Sequence, residues 1–427
     1  MIQKKTTELL TRGIEKIINK KDLDSLLKTG KPLRLKMGFD PSKPDIHLGH
    51  VVGLRKLREF QEFGHQVILI VGDWTAQIGD PSGQSSMRSM LTRQEVLKNA
   101  NSYMEQFFSI VDERKTEVSW QSKWFEKFGL EQVFDLTSRF TVAQFLARSD
   151  FSLRFNNNKP IAITEFLYPL MQAYDSVAIK SDVEFGGTDQ EFNLLVGRDL
   201  QTMFDQKPQQ CILMPILVGL DGVQKMSKSL NNYIAVNEAP ADMFGKIMSI
   251  PDTLMHSYFL LLTNVSLKEL NELFDGEIVM GDDPISIKKR LAFEIVKDFF
   301  GLNEANNAQN QFESVIQRKE IPDNIPVFYL NKKIEKNNEQ TMSFTNEFNN
   351  FVMQSVDGNT IDTIEFLIQI KFTDSKSEAK RILQEGSFAI VNSEGKGEKI
   401  SDRKIILKND CVFRLGSRKM IKIIMDK

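Results

Sequence analysis

The chain has 427 residues, of which 41% are hydrophobic and 26% charged, and its 55 Lys and Arg nearly balance 57 Asp and Glu for a formal charge of −2. This is the composition of a globular chain of two or three domains; it excludes a disordered or collagen-like polymer, and no apolar run reaches the length of a membrane helix. Cys211 and Cys411 are too few for a disulfide framework and too isolated for a zinc site, and the first residues lack the apolar core of a signal peptide, so the expectation is a reduced, cytoplasmic location and no protein-bound metal.

Residues 1–30 read as one or two helices with an apolar stripe of Ile14, Ile17, Ile18, Leu23, Leu26 and Leu27. Leu33-Arg34-Leu35-Lys36-Met37-Gly38-Phe39 alternates as a strand does, and Asp40-Pro41-Ser42-Lys43-Pro44-Asp45 must turn. From Leu48 the spacing is helical through Val51, Val52, Leu54, Leu57 and Phe60, and Gly64 closes it. Two of the four histidines, His47 and His50, stand three residues apart at this helix's start. A helix N-terminus offers unpaired N–H groups and partial positive charge, which suit a phosphate. Two imidazoles add donors, and Gly49 lets a ligand approach the backbone. Taken alone, two surface histidines and a packing glycine explain the pattern equally well.

Gln66–Val71 is almost wholly apolar, the mark of a buried parallel strand. Strand, helix, strand predicts a doubly wound nucleotide-binding sheet, with ligands beyond the carboxyl ends of the strands. Asp40, the stretch Gly72-Asp73-Trp74-Thr75 and Asp80 in Gly79-Asp80-Pro81-Ser82-Gly83 fall at those ends, although Asp-Pro-Ser-Gly is also an ordinary turn. Residues 93–160 read as a mostly helical insertion between the halves of the sheet. Its Phe107, Phe108, Ile110, Phe125, Phe128, Val133 and Phe134 call for burial, part of it at a subunit interface. The helix over 163–175 carries Tyr168, Gln172 and Asp175 on one face of an apolar pattern, which suits a pocket floor; Pro169 implies an early-turn position or a kink. In the Gly186-Gly187-Thr188-Asp189-Gln190 loop the glycines admit a nucleotide and Asp189 can accept from a ribose hydroxyl, with a plain tight turn as the alternative.

After the apolar run Ile212–Val218, the loop from Asp221 to Ser229 reads as mobile and carries two ammonium groups, Lys225 and Lys228. Residues 239–317 are helical in pattern. Lys288, Lys289 and Arg290 give that region a basic face, for RNA or simply for water. Residues 331–358 read as a polar linker. Helices over Ile364–Ile368 and Ser375–Leu383, the latter capped by Ser375 or Ser377, precede strands at Phe388–Asn392 and Asp410–Gly416. Residues 361–427 hold 14 Lys and Arg against 10 Asp and Glu, a net +4 that leaves −6 on the remainder. A basic tail on an acidic body suits a polyanion.

His47-Leu48-Gly49-His50 and Lys225-Met226-Ser227-Lys228-Ser229, in this order and separation, resemble the paired signatures of the class I aminoacyl-tRNA synthetases, His-Ile-Gly-His and Lys-Met-Ser-Lys-Ser. Tyr168 to Asp175 and Gly186 to Gln190 follow the tyrosyl pattern, and the tail, with its Ser-x-x-Glu-Ala-x-Arg helix, resembles the S4 RNA-binding domain. Over nearly its full length the chain resembles the bacterial tyrosyl-tRNA synthetases. The tryptophanyl enzymes, a small-molecule nucleotidyltransferase and an inactive RNA-binding paralogue are the rival readings; chain length, the S4-like tail and the intact Lys225–Ser229 loop weigh against the last two.

The resemblance implies an α/β, doubly wound Rossmann-like catalytic domain over 1–234, a helical anticodon-recognition domain over 235–330, the linker, and a small α+β S4-like domain over 359–427. It implies a homodimer that joins L-tyrosine to ATP, supplied with Mg2+, and passes tyrosine to tRNA(Tyr). By resemblance, His47, His50, Lys225 and Lys228 stabilise the triphosphate, and Asp40, Gly49, Gly187, Asp189, Met226 and Ser227 border ATP. Asp175 takes the phenol, Asp80, Tyr168 and Gln172 the ammonium, and Gln190 lies near the carboxylate. Lys376, Lys380, Arg381, Arg414, Arg418 and Lys419 contact RNA. In one departure, Lys36 and Met37 stand where the better-known subgroup has a tyrosine and usually a cysteine, so the phenol needs another neighbour, with Thr75 or Asp73 the expected ones.

Overall fold

The computed structural model describes residues 8–82, 90–275, 278–279, 283–314, 325–330, 341–343, 360–391, 397–416 and 419–425. The chain forms two compact units that divide at Ala305/Asn306. Most of the linker segment 331–358 lies outside the described residues, as does Arg418.

The first unit is built on six strands: β1 (Lys16–Ile18), β2 (Arg34–Phe39), β3 (Gln66–Val71), β4 (Thr116–Trp120), β5 (Val183–Gly187) and β6 (Gln210–Met214). Their order is β1-β6-β5-β2-β3-β4. Strands β2 to β6 are parallel, and β1 runs antiparallel on the edge against β6. After β1, the parallel winding starts in the middle at β2, runs outward through β3 and β4, then returns to lay β5 and β6 on the other side. This is the doubly wound order, and its switch point lies between β2 and β5, where a crevice opens beyond the carboxyl ends. In β3, Val67, Ile68, Leu69 and Ile70 are all buried, because a parallel sheet is covered on both faces.

Two strands of this sheet differ from the sequence reading, as do β7 and β8 (Phe274–Asp275 and Ile278–Val279) within the stretch 239–317 read as helical, and Thr341–Ser343, a strand within the expected linker. β1 lies within the N-terminal stretch read as helical, and β4 lies within the segment 93–160 read as helical. Both are short and flanked by helices, so their alternation spans too few residues to stand out; tertiary pairing, Lys16 with Leu213 and Thr116 with Val67, decides them. The rest of that segment is helical, with Arg93–Phe108, Leu130–Ser138, Val142–Leu146 and Ser149–Asn156 its main helices. Phe107, Ile110 and Phe125 are buried within the unit, whereas Leu130, Phe134, Val142, Leu153, Phe155 and Ile163 are exposed, Ile163 by 81%.

The helix over Ile163–Ile179 runs on through Pro169. Helices Pro240–Met248, Met255–Leu262 and Leu267–Leu273 follow, with the short strands β7 (Phe274–Asp275) and β8 (Ile278–Val279), then Pro284–Phe312, which is interrupted at Gly301. Arg12 binds this region to the sheet's N-terminal approach. Its guanidinium donates to Phe259 O, Leu260 O, Thr263 O and Val265 O, carbonyls around a helix C-terminus. The basic face expected at Ser286–Ala292 is largely committed to internal pairing. Lys288 is buried, donating to Ile250 O (2.6 Å) and pairing with Asp252, and Arg290 pairs with Glu269.

The second unit holds β9 (Val327–Leu330), β10 (Thr341–Ser343), β11 (Thr360–Asp362), β12 (Phe388–Val391), β13 (Gly397–Lys399), β14 (Lys404–Ile406), β15 (Cys411–Leu415) and β16 (Lys419–Met425). Six of these form a sheet in the order β10-β9-β16-β15-β12-β13, and β11 pairs with β14. Helices Thr363–Gln369 and Lys376–Gln384 pack with it, the second capped by Ser375 Oγ accepting from Glu378 N–H. Phe366, Phe388 and Phe413 form the centre of this core. Lys376, Lys380, Arg381 and Lys419 are exposed and Arg414 is half-buried. Lys376 pairs with Glu365 (2.6 Å), and Arg381 lies 3.5 Å from Glu378.

Candidate active site

The crevice at the switch point is a cavity of about 1230 Å³. Of the residues singled out above for ATP or tyrosine, all but Asp73 line it: Asp40, His47, Gly49, His50, Asp80, Tyr168, Gln172, Asp175, Gly187, Asp189, Gln190, Lys225, Met226, Ser227 and Lys228. Thr75, Tyr103 and Gln121 line it as well.

His47 is the N-cap of helix Leu48–Glu62. Its Nδ1 accepts from Gly49 N–H (3.2 Å), and His50 Nδ1 accepts from His47 N–H (3.2 Å). With both Nδ1 atoms serving as acceptors, the proton of each neutral ring sits on Nε2. Burial pushes both imidazoles well below their usual range, His50 to about 3, and neighbouring lysine charge adds to the shift. Both rings are therefore neutral donors at ordinary pH. Gly49 has a second reason to be glycine: a Cβ there would stand 2.9 Å from His47 Nδ1 and break the capping geometry.

The turn Asp40–Ile46 that leads into this helix is held by one face of Arg93–Phe108. Asn99 Nδ2 donates to Pro41 O (3.0 Å), Gln106 Nε2 to Pro44 O (3.1 Å), and Gln106 Oε1 accepts from Ile46 N–H (2.8 Å). The tip of the turn is exposed and its ends at Pro41 and Ile46 are buried, and two side chains seven residues apart on that helix satisfy its backbone.

The Asp221–Ser229 loop closes over the same helix. Ser227 N–H donates to Asn232 Oδ1 (2.8 Å), Met226 N–H to Leu217 O (2.8 Å), and Asn232 Nδ2 to Asp221 Oδ2 (2.6 Å). Lys225 Nζ pairs with Asp189 (3.1 Å). Lys228 Nζ donates to Tyr103 Oη (3.1 Å) and Lys43 O (3.2 Å). Burial lowers the Lys228 ammonium to about 8.

At the other end of the cavity is a polar network. Asp40 Oδ1 accepts from Thr75 Oγ1 (2.7 Å) and Oδ2 from Tyr168 Oη (2.9 Å). Gly72 leaves room for this arrangement, since a Cβ there would stand 2.3 Å from Asp40 Oδ1. Asp80 accepts from Gln190 Nε2 (2.7 Å) and Ser82 N–H (2.9 Å), and Asn193 Nδ2 donates to Gln190 Oε1 (3.0 Å) and lies 3.1 Å from Gln172 Oε1.

Asp175 is 2% exposed, and its carboxylate accepts from Gln121 Nε2 (2.8 Å) and Trp124 Nε1 (3.1 Å). Gln121 is oriented by backbone N–H groups of Trp74 (3.3 Å) and Thr75 (3.0 Å), which donate to its Oε1. Burial raises the Asp175 carboxyl to about 7, against the pull of Lys36. Of the two residues expected beside the phenol, Thr75 lines the cavity; the Asp73 carboxylate instead accepts from Ser122 N–H (3.0 Å). Gln121 and Trp124 had no sequence signal, because nothing local marks two residues that act across the sheet.

Lys36 is fully buried. It stands opposite Glu184 in the β2/β5 register, with Nζ 2.9 Å from Glu184 Oε1, and it donates to Gln172 O and Ser176 Oγ, both at 2.7 Å. The alternation in β2 thus separates apolar core from a buried ion pair, not core from solvent. Lys36→Met, which leaves Glu184 as an uncompensated buried charge, is expected to destabilise the first unit by about 3–5 kcal/mol, and Lys36→Met with Glu184→Leu to recover most of it. Urea midpoints check this; a single variant as stable as the parent would refute it.

A histidine-capped helix start, a facing lysine loop and a hydrogen-bonding floor thus meet in one cavity at the switch point of a doubly wound sheet. A family model described as "tRNA synthetases class I (W and Y)" matches residues 28–317. Curated tyrosine–tRNA ligases are similar over nearly the full length: one from Dehalococcoides mccartyi is 49% identical, covering 98% of each chain, and one from Thermotoga maritima is 44% identical, covering 99% of this chain and 98% of its own. Among solved structures, the C-terminally truncated mitochondrial tyrosyl-tRNA synthetase of Aspergillus nidulans aligns with a TM-score of 0.60 at 20% identity, covering 73% of this chain and 93% of its own. The Archaeoglobus fulgidus tyrosyl-tRNA synthetase complexed with L-tyrosine aligns with a TM-score of 0.57 at 24% identity, covering 72% and 100%. The chain belongs to the class I tRNA synthetases for tryptophan and tyrosine, and within them to the bacterial tyrosine–tRNA ligases.

Proposed function

We infer that the chain activates L-tyrosine with ATP and transfers it to tRNA(Tyr). The observation that carries this is the single cavity in which two neutral histidines, two lysines and the Asp175 floor converge. In the first step a tyrosine carboxylate oxygen attacks the α-phosphorus of ATP, the bond from α-phosphorus to the bridging oxygen breaks, and pyrophosphate leaves. In the second, a terminal ribose hydroxyl of the tRNA attacks the acyl carbon and AMP leaves.

In this reading, His47 and His50 donate Nε2–H bonds to phosphoryl oxygens, and Lys225 and Lys228 neutralise the charge that grows on pyrophosphate. No side chain needs to move a proton; positioning and electrostatics supply the acceleration. Gly187 and Asp189 border the ribose, so Lys225 exchanges its Asp189 contact for phosphate when ATP binds. Asp175 accepts from the phenol. Asp80, Tyr168 and Gln172 surround the ammonium, and Gln190 lies by the carboxylate. Mg2+ arrives with ATP as its counter-ion; among the described residues no group of three or more His, Cys, Asp or Glu is placed to hold a metal.

Amino-acid-dependent ATP–pyrophosphate exchange tests the substrate, with tyrosine, tryptophan and phenylalanine compared. Exchange with tyrosine alone is expected; exchange with tryptophan would overturn it.

We propose the remaining organisation on the same footing. The catalytic part spans 1–234, a helical anticodon-recognition part 235–330, less β9, which pairs in the second unit's sheet, and an RNA-binding part 359–427, in a protein of the cytoplasm. None of the described helices is long and apolar enough to cross a membrane. Lys376, Lys380, Arg381, Arg414 and Lys419 contact tRNA phosphates. Lys380→Ala with Arg381→Ala is expected to weaken tRNA binding and to flatten the slope of log affinity against log salt by about 0.7–0.9 per lost contact; an unchanged slope would exclude these two residues from the interface. The exposed Phe134 and Ile163, with their apolar neighbours, support a homodimer. Phe134→Asp with Ile163→Asp is expected to halve the mass measured by light scattering.

A further inference from the structure

Arg148 precedes the helix Ser149–Asn156, in the helical segment outside the nucleotide-binding sheet. It is 7% exposed and does not line the cavity. One nitrogen, Nη1, donates to Asn193 Oδ1 (3.1 Å); the other, Nη2, donates to Ser82 Oγ (2.9 Å) and Asp150 Oδ2 (2.6 Å). The guanidinium lies over the Phe151 ring at 4.9 Å. Its two uncharged acceptors are the residues that hold the amino-acid end of the cavity. Ser82 N–H donates to Asp80, and Ser82 Oγ lies 3.3 Å from Gln190 Nε2. Asn193 holds Gln190 and Gln172.

We propose that Arg148 is a positioning residue for the amino-acid subsite: one buried planar fork sets the spacing between the Asp80–Ser82 turn and the Gln190–Asn193 helix start, and so the geometry of Asp80, Gln172 and Gln190. A guanidinium suits this because its donors diverge in a fixed plane, which a lysine ammonium cannot reproduce. The ATP end, built from His47, His50 and the Lys225–Ser229 loop, has no contact with this fork. The proposal rests on the reading that this subsite takes the ammonium and carboxylate of tyrosine.

Full-length Arg148→Met, Arg148→Lys and Ser82→Ala are assayed by ATP–pyrophosphate exchange, titrating tyrosine and ATP separately, with Gln172→Ala as control. Arg148→Met is expected to raise the tyrosine KM tenfold or more with the ATP KM within twofold of the parent. Arg148→Lys, which keeps one contact, falls between them, and Ser82→Ala raises the tyrosine KM a few-fold. A merely structural role would move both KM values together or lower the active fraction alone, and either result overturns the proposal. If Arg148→Met does not fold, the other two variants decide it by the same split, and no selective rise in either overturns it. If Gln172→Ala leaves the tyrosine KM unchanged, the subsite reading fails, whatever Arg148 does.

Discussion

His50→Ala and Lys228→Ala should each slow tyrosyl-adenylate formation by about 10²–10³-fold while leaving the KM for tyrosine near that of the parent. The argument for His50 is geometric. Its Nδ1 is occupied by the His47 N–H, so its proton must sit on Nε2, and burial keeps the ring neutral down to about pH 3. On the proposed mechanism it is a fixed donor whose bond strengthens as charge develops on the phosphoryl group, and such donors act on the transition state more than on bound substrate. Lys228 is held by Tyr103 Oη and Lys43 O in the free enzyme, with the charge already partly desolvated. Single-turnover pyrophosphate release checks both. A parental rate, or a loss confined to tyrosine affinity, would remove them from the phosphate chemistry.

Asp175→Ala should reduce kcat/KM for tyrosine activation by about 10²–10³-fold, with ATP affinity unaltered, because it deletes the buried acceptor and strands the Gln121 and Trp124 donors together. An unchanged tyrosine-dependent rate would place the phenol elsewhere. The same carboxylate sets a pH dependence. Burial raises it to about 7, so below that pH the acceptor is increasingly protonated and kcat/KM for tyrosine falls. Above about 8 the Lys228 ammonium is lost and kcat/KM falls again. A bell with its top between these values is expected, and Asp175→Asn should flatten the acid limb. Stability runs the other way. Because the folded state holds the Asp175 proton more tightly than the unfolded chain, the group favours folding below its unfolded range near 4, and that contribution is lost as pH rises through about 7.

The parts of this molecule that were legible in the sequence are those where local spacing carries the chemistry. His47 and His50 sit one helical turn apart, Lys225 to Ser229 is contiguous, and Tyr168, Gln172 and Asp175 repeat at helical steps, so each could be placed before any coordinates. β2 and β3 were equally plain. What escaped depends on residues distant in the chain. β4 is five residues whose pairing with β3 decides it, and β1 is an edge strand of three. Lys36 was visible as a departure from a familiar pattern, yet its role depends on Glu184, with two strands between them in sequence order though adjacent in the sheet. Gln121, Trp124 and Arg148 act through partners on other elements, and no periodicity reports that. The cations at 288–290 show the reverse error: a run of like charge invites a surface reading, and Lys288 and Arg290 are each paired with an acid of the same unit.

The Lys36–Glu184 pair constrains how this lineage can change. The two residues face each other across the central strands, and both are shut away from water, so exchanging either one first produces a chain carrying an orphaned charge at its centre. Typical domains keep a margin of only about 5–15 kcal/mol, and a loss of about 3–5 is a large part of it. A line of descent that carries this lysine and acid is therefore separated from one carrying a neutral pair by a fitness valley. Crossing it requires both changes at once or a stabilising change beforehand. Strand exchange between two such lineages, with β2 from one parent and β5 from the other, should yield chimaeras less stable than either parent in both reciprocal combinations.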